Sequence, residues 1–264
     1  MATNLAPVVI VDSAGIAADG YADRLSAEEF RASEAIASPV RRQQWLGGRI
    51  AAKYVFLQRE LDPRAESAGL SLQQIDGAEL ARFDPQAYRS VIVSKDKSPG
   101  GGPARVGRLG SEHAVPVAIS HIDSLACAFI GGTAEVYAVD LERPASRIPA
   151  FYLHNFTARE RDWATAGART LGIDSDWLYT VLWSAKECLL KTPQFSTLSL
   201  WNMPFIEVNI GAGSERLNNV YRSRNISGSF ERLEADIAPF GSGRFQLAVS
   251  GTADLIVTAF VRPD

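Results

Sequence analysis

Two short segments of this 264-residue chain match each other across 131 positions, and they constrain the fold more than any other feature. Leu25-Ser26-Ala-Glu-Glu29 and Phe156-Thr157-Ala-Arg-Glu160 each place a hydroxyl residue three positions before a glutamate. That is the pattern of a capping box, in which side chain and backbone satisfy each other's free N–H groups at a helix start. Leu25 and Phe30 are placed to staple the first of these starts. A helical stretch from about Arg41 to Arg59 follows it. Trp45 and Lys53 lie eight residues apart there, as do Trp183 and Lys191, 138 positions later. Both coincidences predict a duplicated α+β unit, with a site between the halves, where pockets often form.

Strand-like runs surround these helices. Pro7-Val-Val-Ile-Val-Asp12 reads as a buried strand, and Ser90-Val-Ile-Val-Ser94 as another. Val115–Ser120, Leu125–Ile130 and Glu135–Asp140 follow, with Gly131-Gly132 expected to join the last two as a hairpin. Lys95–Glu112 is rich in glycine and basic residues and reads as a mobile loop. Phe205–Ile210, Phe245–Val249 and Asp254–Phe260 predict a second sheet. The expected division is an N-terminal α+β subdomain over 1–138 and a C-terminal one over 139–264.

Composition excludes several classes of function. A formal net charge of −3 gives no electrostatic case for general nucleic-acid binding. Cys127 and Cys188 are too few for a disulfide framework or a cysteine-based zinc site. No apolar run approaches the roughly 18 residues that span a bilayer. The N-terminus lacks a basic stretch followed by an apolar one. A cytoplasmic protein is expected, partnered neither with nucleic acid nor with membrane.

The chemistry-bearing residues fall in two groups. Trp183, Glu187 and Lys191 sit at i, i+4 and i+8 of a strongly apolar helix and share one face. A desolvated carboxylate there needs a cationic partner, which is either Lys191 or a metal. An i,i+4 pair contributes only about 0.2–0.5 kcal/mol, too little to offset burial of either charge. In Ala138-Val139-Asp140-Leu141-Glu142, alternation directs Asp140 and Glu142 to one face. Either the strand simply ends there against Arg143, or the carboxylates join Glu187 around a cation. Hard oxygen ligands with no nearby Cys or His favour Mg²⁺ over zinc.

The second group is cationic. Arg41, Trp45, Arg49 and Lys53 are spaced by four along a helix, fitting either a nucleotide phosphate or a solvated basic face. Ser120-His121 ends an apolar strand and fits either a structural role or phosphate binding. A Ser-His nucleophile is disfavoured, because adjacent strand residues face opposite ways and no G-x-S-x-G elbow surrounds Ser120.

Taken in order, Gly48-Arg49-Ile-Ala-Ala-Lys53, Ile119-Ser120-His121, Val139-Asp140-Leu-Glu142, Phe156-Thr-Ala-Arg-Glu160 and Trp183-Ser-Ala-Lys186-Glu187-Cys-Leu-Leu-Lys191 resemble the surfactin-type (Sfp-like) 4′-phosphopantetheinyl transferases. The resemblance runs from residue 48 to residue 191. It implies a pseudo-twofold α+β fold with the active site between the halves. It also implies transfer of phosphopantetheine from coenzyme A to a serine of an apo acyl or peptidyl carrier protein, releasing adenosine 3′,5′-bisphosphate. By the same resemblance Asp140, Glu142 and Glu187 hold Mg²⁺, or Mn²⁺ in its place. Arg49, Lys53, Ser120, His121, Lys186 and Lys191 then contact coenzyme A, and Asp140, Glu187 and Lys191 take part in catalysis by a monomer. The family's Gly-Ile/Val-Asp is Ala138-Val139-Asp140 here, and its Gly-Lys-Pro loop has only Lys97-Ser-Pro99 as a loose counterpart. A non-catalytic module that binds coenzyme A or a carrier protein is the alternative reading.

Overall fold

An uninterrupted apolar run such as Val8-Val-Ile-Val11 is stable as a strand only with both of its faces covered. It forms β1 (Ala6–Asp12), and all four of these side chains are fully buried. The computed structural model describes residues 6–15, 23–61, 70–95, 104–130, 136–192, 200–211, 214–226, 228–238 and 245–261. Two compact units divide the chain, Met1–Gly132 and Thr133–Asp264. The division precedes the expected 138/139 boundary because β7 (Val136–Glu142) already belongs to the C-terminal sheet.

In the first unit β1 is followed by α1 (Ala27–Glu34) and the long α2 (Pro39–Leu61). Next come β2 (Leu70–Ile75), the short α3 (Gly77–Leu80) and α4 (Pro85–Arg89), then β3 (Val91–Lys95). β4 (Ala104–Arg108), β5 (Ala114–Ile122) and β6 (Leu125–Phe129) complete it. Its strands are ordered β3-β4-β5-β6-β1-β2, antiparallel throughout except for β1 against β2. Helix α2 lies on this sheet, and Ile50, Ala51, Tyr54 and Val55 meet Val9, Val11, Val93 and Val117. Gly48 permits the close approach, since a Cβ there would lie 2.8 Å from Ile119 Cγ2.

The second unit runs β7, α5 (Pro149–Asn155), α6 (Ala158–Leu171) and α7 (Ser175–Lys191). Then follow β8 (Glu207–Ile210), α8 (Leu217–Arg222), a two-residue strand β9 (Gly228–Ser229), β10 (Glu231–Ala238), β11 (Phe245–Thr252) and β12 (Leu255–Val261). Its sheet is ordered β7-β12-β11-β10-β8 and is antiparallel. Trp177, Leu178, Val181, Leu182, Ala185, Cys188 and Leu189 form the apolar stripe of α7, and Trp177 Nε1 donates to Thr252 O at 3.0 Å. Gly251 (φ +133°) sits where a Cβ would strike Leu255 O at 2.1 Å, so the β11–β12 turn requires glycine.

Read from the far edge, β8-β10-β11-β12-β7 follows the same path as β3-β4-β5-β6-β1, with β2 added to the first unit. In both units the long helix after the capped one packs on the last two strands of that series. The chain is therefore a mixed α+β protein with two sheets of shared topology.

Two expectations are corrected. β6 and β7 do not form a hairpin: β6 pairs with β5 and β1, whereas β7 pairs with β12. Residues 104–108 of the supposed loop are β4, bonded on both sides; Lys97 lies outside the described residues. Strands β2 and β10 were not anticipated, although Leu233, Ala235 and Ile237 alternate inward along β10 as a half-buried strand should. No helix among the described residues is long and apolar enough to cross a membrane.

Candidate functional site

The capping boxes do more than start helices. Ser26 Oγ accepts from Glu29 N, and Glu29 Oε2 accepts from Ser26 N at 3.0 Å. Glu29 also takes the Lys53 ammonium at 2.5 Å and the β3 amide of Val93 at 3.2 Å. Lys53 Nζ donates further to the carbonyls of Arg24 and Tyr88. The second unit repeats every bond. Thr157 and Glu160 cap α6 reciprocally, and Glu160 accepts from Lys186 Nζ at 2.8 Å and from Val208 N of β8 at 2.8 Å. Lys186 Nζ donates to the carbonyls of Asn155 and Met203. Each lysine is fully buried. Desolvation pushes both lysine pKa values down, against the pull of the glutamates. The expected phosphate contacts of Lys53 and Lys186 are thus corrected: both ammonium groups are enclosed and triply hydrogen-bonded inside their own units.

This motif also fixes how the helices correspond. Lys53 matches Lys186, 133 positions on, so Lys53 is not the counterpart of Lys191 and Trp45 is not that of Trp183. The strands can be aligned independently. Ile122 faces Leu125 across the β5–β6 turn, as Thr252 faces Leu255 across the β11–β12 turn. Carried through the ladders, Ala128 opposite Val9 matches Thr258 opposite Asp140, and Ala126 opposite Val11 matches Ile256 opposite Glu142.

Asp140, Glu142, Glu187 and Lys191 come together on β7 and α7 of the second unit. Asp140 is 2% exposed. Its Oδ2 accepts from Ser184 Oγ at 2.7 Å and its Oδ1 from Lys191 Nζ at 2.5 Å. Desolvation opposes the charge on Lys191, but Asp140 first, then Cys188 and Glu187, outweigh it and hold the ammonium pKa above its ordinary value. Glu142 is half-buried, and its pKa is pushed up from 4.5 to about 7, first by desolvation and then by the charges of Asp140 and Glu187. Lys191 and Arg147 counter this only in part. Glu187 is raised by desolvation and by the charge of Asp140, with Lys191 opposing. Trp183 shares their helix face and packs on Phe151, with ring centroids 5.2 Å apart.

The donor set fits a hard divalent cation in its chemistry: it is all oxygen, it carries more negative than positive charge, and an ammonium group already stands against Asp140. It is not a closed cage, for among the described residues no three His, Cys, Asp or Glu side chains gather into a metal-binding group. Lys191 fills the cationic position on Oδ1 instead.

In the first unit, the Arg41–Trp45–Arg49–Lys53 row runs from solvent into the core rather than along an open face. Arg49 is half-buried with its guanidinium carbon 3.3 Å from the Trp45 ring centroid, a cation–π stack. Its buried Nε has no hydrogen-bond partner among the described residues, and desolvation lowers the guanidinium pKa to about 10. Such a group fits an anion that would supply the missing acceptor. On β5, Ser120 points inward and His121 outward, as alternation requires. The two hydroxyls behind Asp140, on Ser184 and Thr258, were missed from sequence; Ser184 was visible as the one hydroxyl adjoining the inner stripe near Glu187, while Thr258 gave no local signal.

Neither a scan against protein-family models nor a search of the curated proteins finds a match for this chain.

Proposed function

We propose that this chain is a 4′-phosphopantetheinyl transferase with the duplicated fold of that family, acting on a carrier-protein serine with coenzyme A as donor. One observation carries the reading. At the places of Asp140, Glu142, Ser184, Glu187, Lys191 and Thr258, the first unit has Val9, Val11, Ala51, Tyr54, Gln58 and Ala128. The first unit builds the same topology with apolar residues at four of those positions, so the scaffold does not need the acidic set. Three electrostatically coupled carboxylates on β7 and α7, with burial pushing two of them up, cost stability and call for a function.

Asp140, Glu142 and Glu187 would hold Mg²⁺, which when bound neutralises the coenzyme A pyrophosphate and the charge growing on phosphorus oxygens. Glu187, with its raised pKa, suits acceptance of the serine proton. The serine Oγ–phosphorus bond forms as the phosphorus–oxygen bond to adenosine 3′,5′-bisphosphate breaks. Lys191 would turn from Asp140 to the phosphate. The test is mass spectrometry of several apo-carriers after incubation with the protein, coenzyme A and Mg²⁺. A gain of one phosphopantetheine arm is expected, lost in Glu187→Gln; no gain on any carrier, or full activity of that variant, refutes the assignment.

A further inference from the structure

The two oxygens of Asp140 meet different partners. Oδ1 faces Lys191, whereas Oδ2 faces inward to Ser184 Oγ at 2.7 Å. Ser184 Oγ lies 2.7 Å from Thr258 Oγ1, and Thr258 Oγ1 lies 3.3 Å from Cys188 Sγ. Ser184, Thr258 and Cys188 are all fully buried. A hydroxyl carries one proton. With the Ser184 proton given to the carboxylate, Thr258 must be the donor in the Ser–Thr contact, and the Cys188 thiol shares its one proton between Thr258 Oγ1 and the Thr258 carbonyl, 3.6 Å away. Successive donors aimed the same way polarise one another and end on the charged acceptor.

The first unit supplies a control. It has Ala51, Ala128 and Val55 at the places of Ser184, Thr258 and Cys188, and Val9 at the place of Asp140. The hydroxyls are present where the carboxylate is present and absent where it is absent. Packing therefore does not demand them, and Ala51 and Ala128 are accommodated at full burial.

We infer that Ser184 and Thr258 are positioning residues for Asp140, locking its carboxylate by Oδ2 so that Oδ1 is presented to the cation. This rests on the reading of the acidic set as a divalent-cation site. Lys191 occupies Oδ1 in its place here, which keeps the orientation defined. Partners of this kind behind a metal ligand typically change affinity about 10–100-fold when removed.

The experiment is calorimetric titration of the metal-free chain with Mn²⁺, alongside its melting temperature. Wild type, Ser184→Ala, Thr258→Val and Thr258→Ser are compared. Ser184→Ala is expected to weaken Mn²⁺ binding about 10–100-fold. Thr258→Val, equal in shape, weakens it in the same direction, and Thr258→Ser restores it because the hydroxyl returns. If Ser184→Ala does not fold, the two Thr258 variants carry the test alone. Mn²⁺ affinity unchanged in Ser184→Ala and Thr258→Val, with only the melting temperature moved, makes the hydroxyls structural and overturns the inference. A wild type that binds no Mn²⁺ overturns the cation-site reading itself and the inference with it.

Discussion

Replacing Glu142 by glutamine should stabilise the metal-free protein at high pH, although it removes a residue proposed to be essential. The folded pKa of Glu142 is about 7 against an ordinary 4.5, with desolvation the largest cause and the charges of Asp140 and Glu187 next. Below about 4.5 the acid is protonated in both states and costs nothing. As pH rises towards 7 the unfolded chain gives up its proton first, and stability falls until the folded acid has ionised as well. At 1.36 kcal/mol per pKa unit, a shift of this size corresponds to roughly 3 kcal/mol, and about 2–3 after allowing for partial exposure. Glutamine has the same shape and does not ionise. Urea unfolding of wild type and Glu142→Gln in chelator should coincide near pH 4 and diverge through pH 5–7. At pH 8 the variant should be ahead by about 2–3 kcal/mol. Subtracting the two curves removes other titrating groups, Glu187 included, to the extent that they respond equally. Saturating Mg²⁺ should shrink or reverse the difference, because it stabilises only the chain that binds it. A variant no more stable than wild type at pH 8 would refute the electrostatic account of this site.

Other consequences are open to test. Lys186→Met leaves Glu160 buried without its cation and should cost about 3–5 kcal/mol in denaturant unfolding, with Lys53→Met close behind. The double change Lys186→Met with Glu160→Gln should recover part of that loss. Lys191→Met removes the ammonium that competes for Asp140 Oδ1, so Mn²⁺ alone should bind at least as tightly as to wild type, while the gain in Mn²⁺ affinity on adding pyrophosphate should shrink; unchanged coupling in a titration with and without pyrophosphate would show that Lys191 does not reach the anion.

What was legible in the sequence was mostly local. The Ser26–Glu29 capping box follows from residues three apart and forms as expected, and the matching Thr157–Glu160 pattern, from which the sequence leaves the role of Glu160 open, forms one too. The shared face of Trp183, Glu187 and Lys191 needs only the helical period, and all three are half-buried together. Asp140 and Glu142 follow from the strand period in the same way. Readings that needed a distant partner went astray. Lys53 and Lys186 looked available to a phosphate because nothing nearby in sequence reveals that Glu29 and Glu160 close over them from 24 and 26 positions away. The eight-residue spacing pairs Trp45 and Lys53 with Trp183 and Lys191, whereas the buried Glu29–Lys53 bond has its match in Glu160–Lys186. Gly131-Gly132 suggested a hairpin, but ladder pairing is set by whole faces, and β7 found its match in β12. Ser184 and Thr258 meet across 74 positions, a separation at which no periodicity gives warning.

The central claim is that the second unit binds a cation at positions where the first, with the same strand order, carries mostly apolar residues. Backbone amide spectra recorded during Mn²⁺ titration test it most directly, since the paramagnetic ion broadens signals close to it. The account predicts saturable broadening centred on the amides of Asp140, Glu142 and Glu187 at one Mn²⁺ per chain, abolished by Asp140→Asn. Broadening centred instead on acidic residues elsewhere, or no saturable broadening at all, would contradict it.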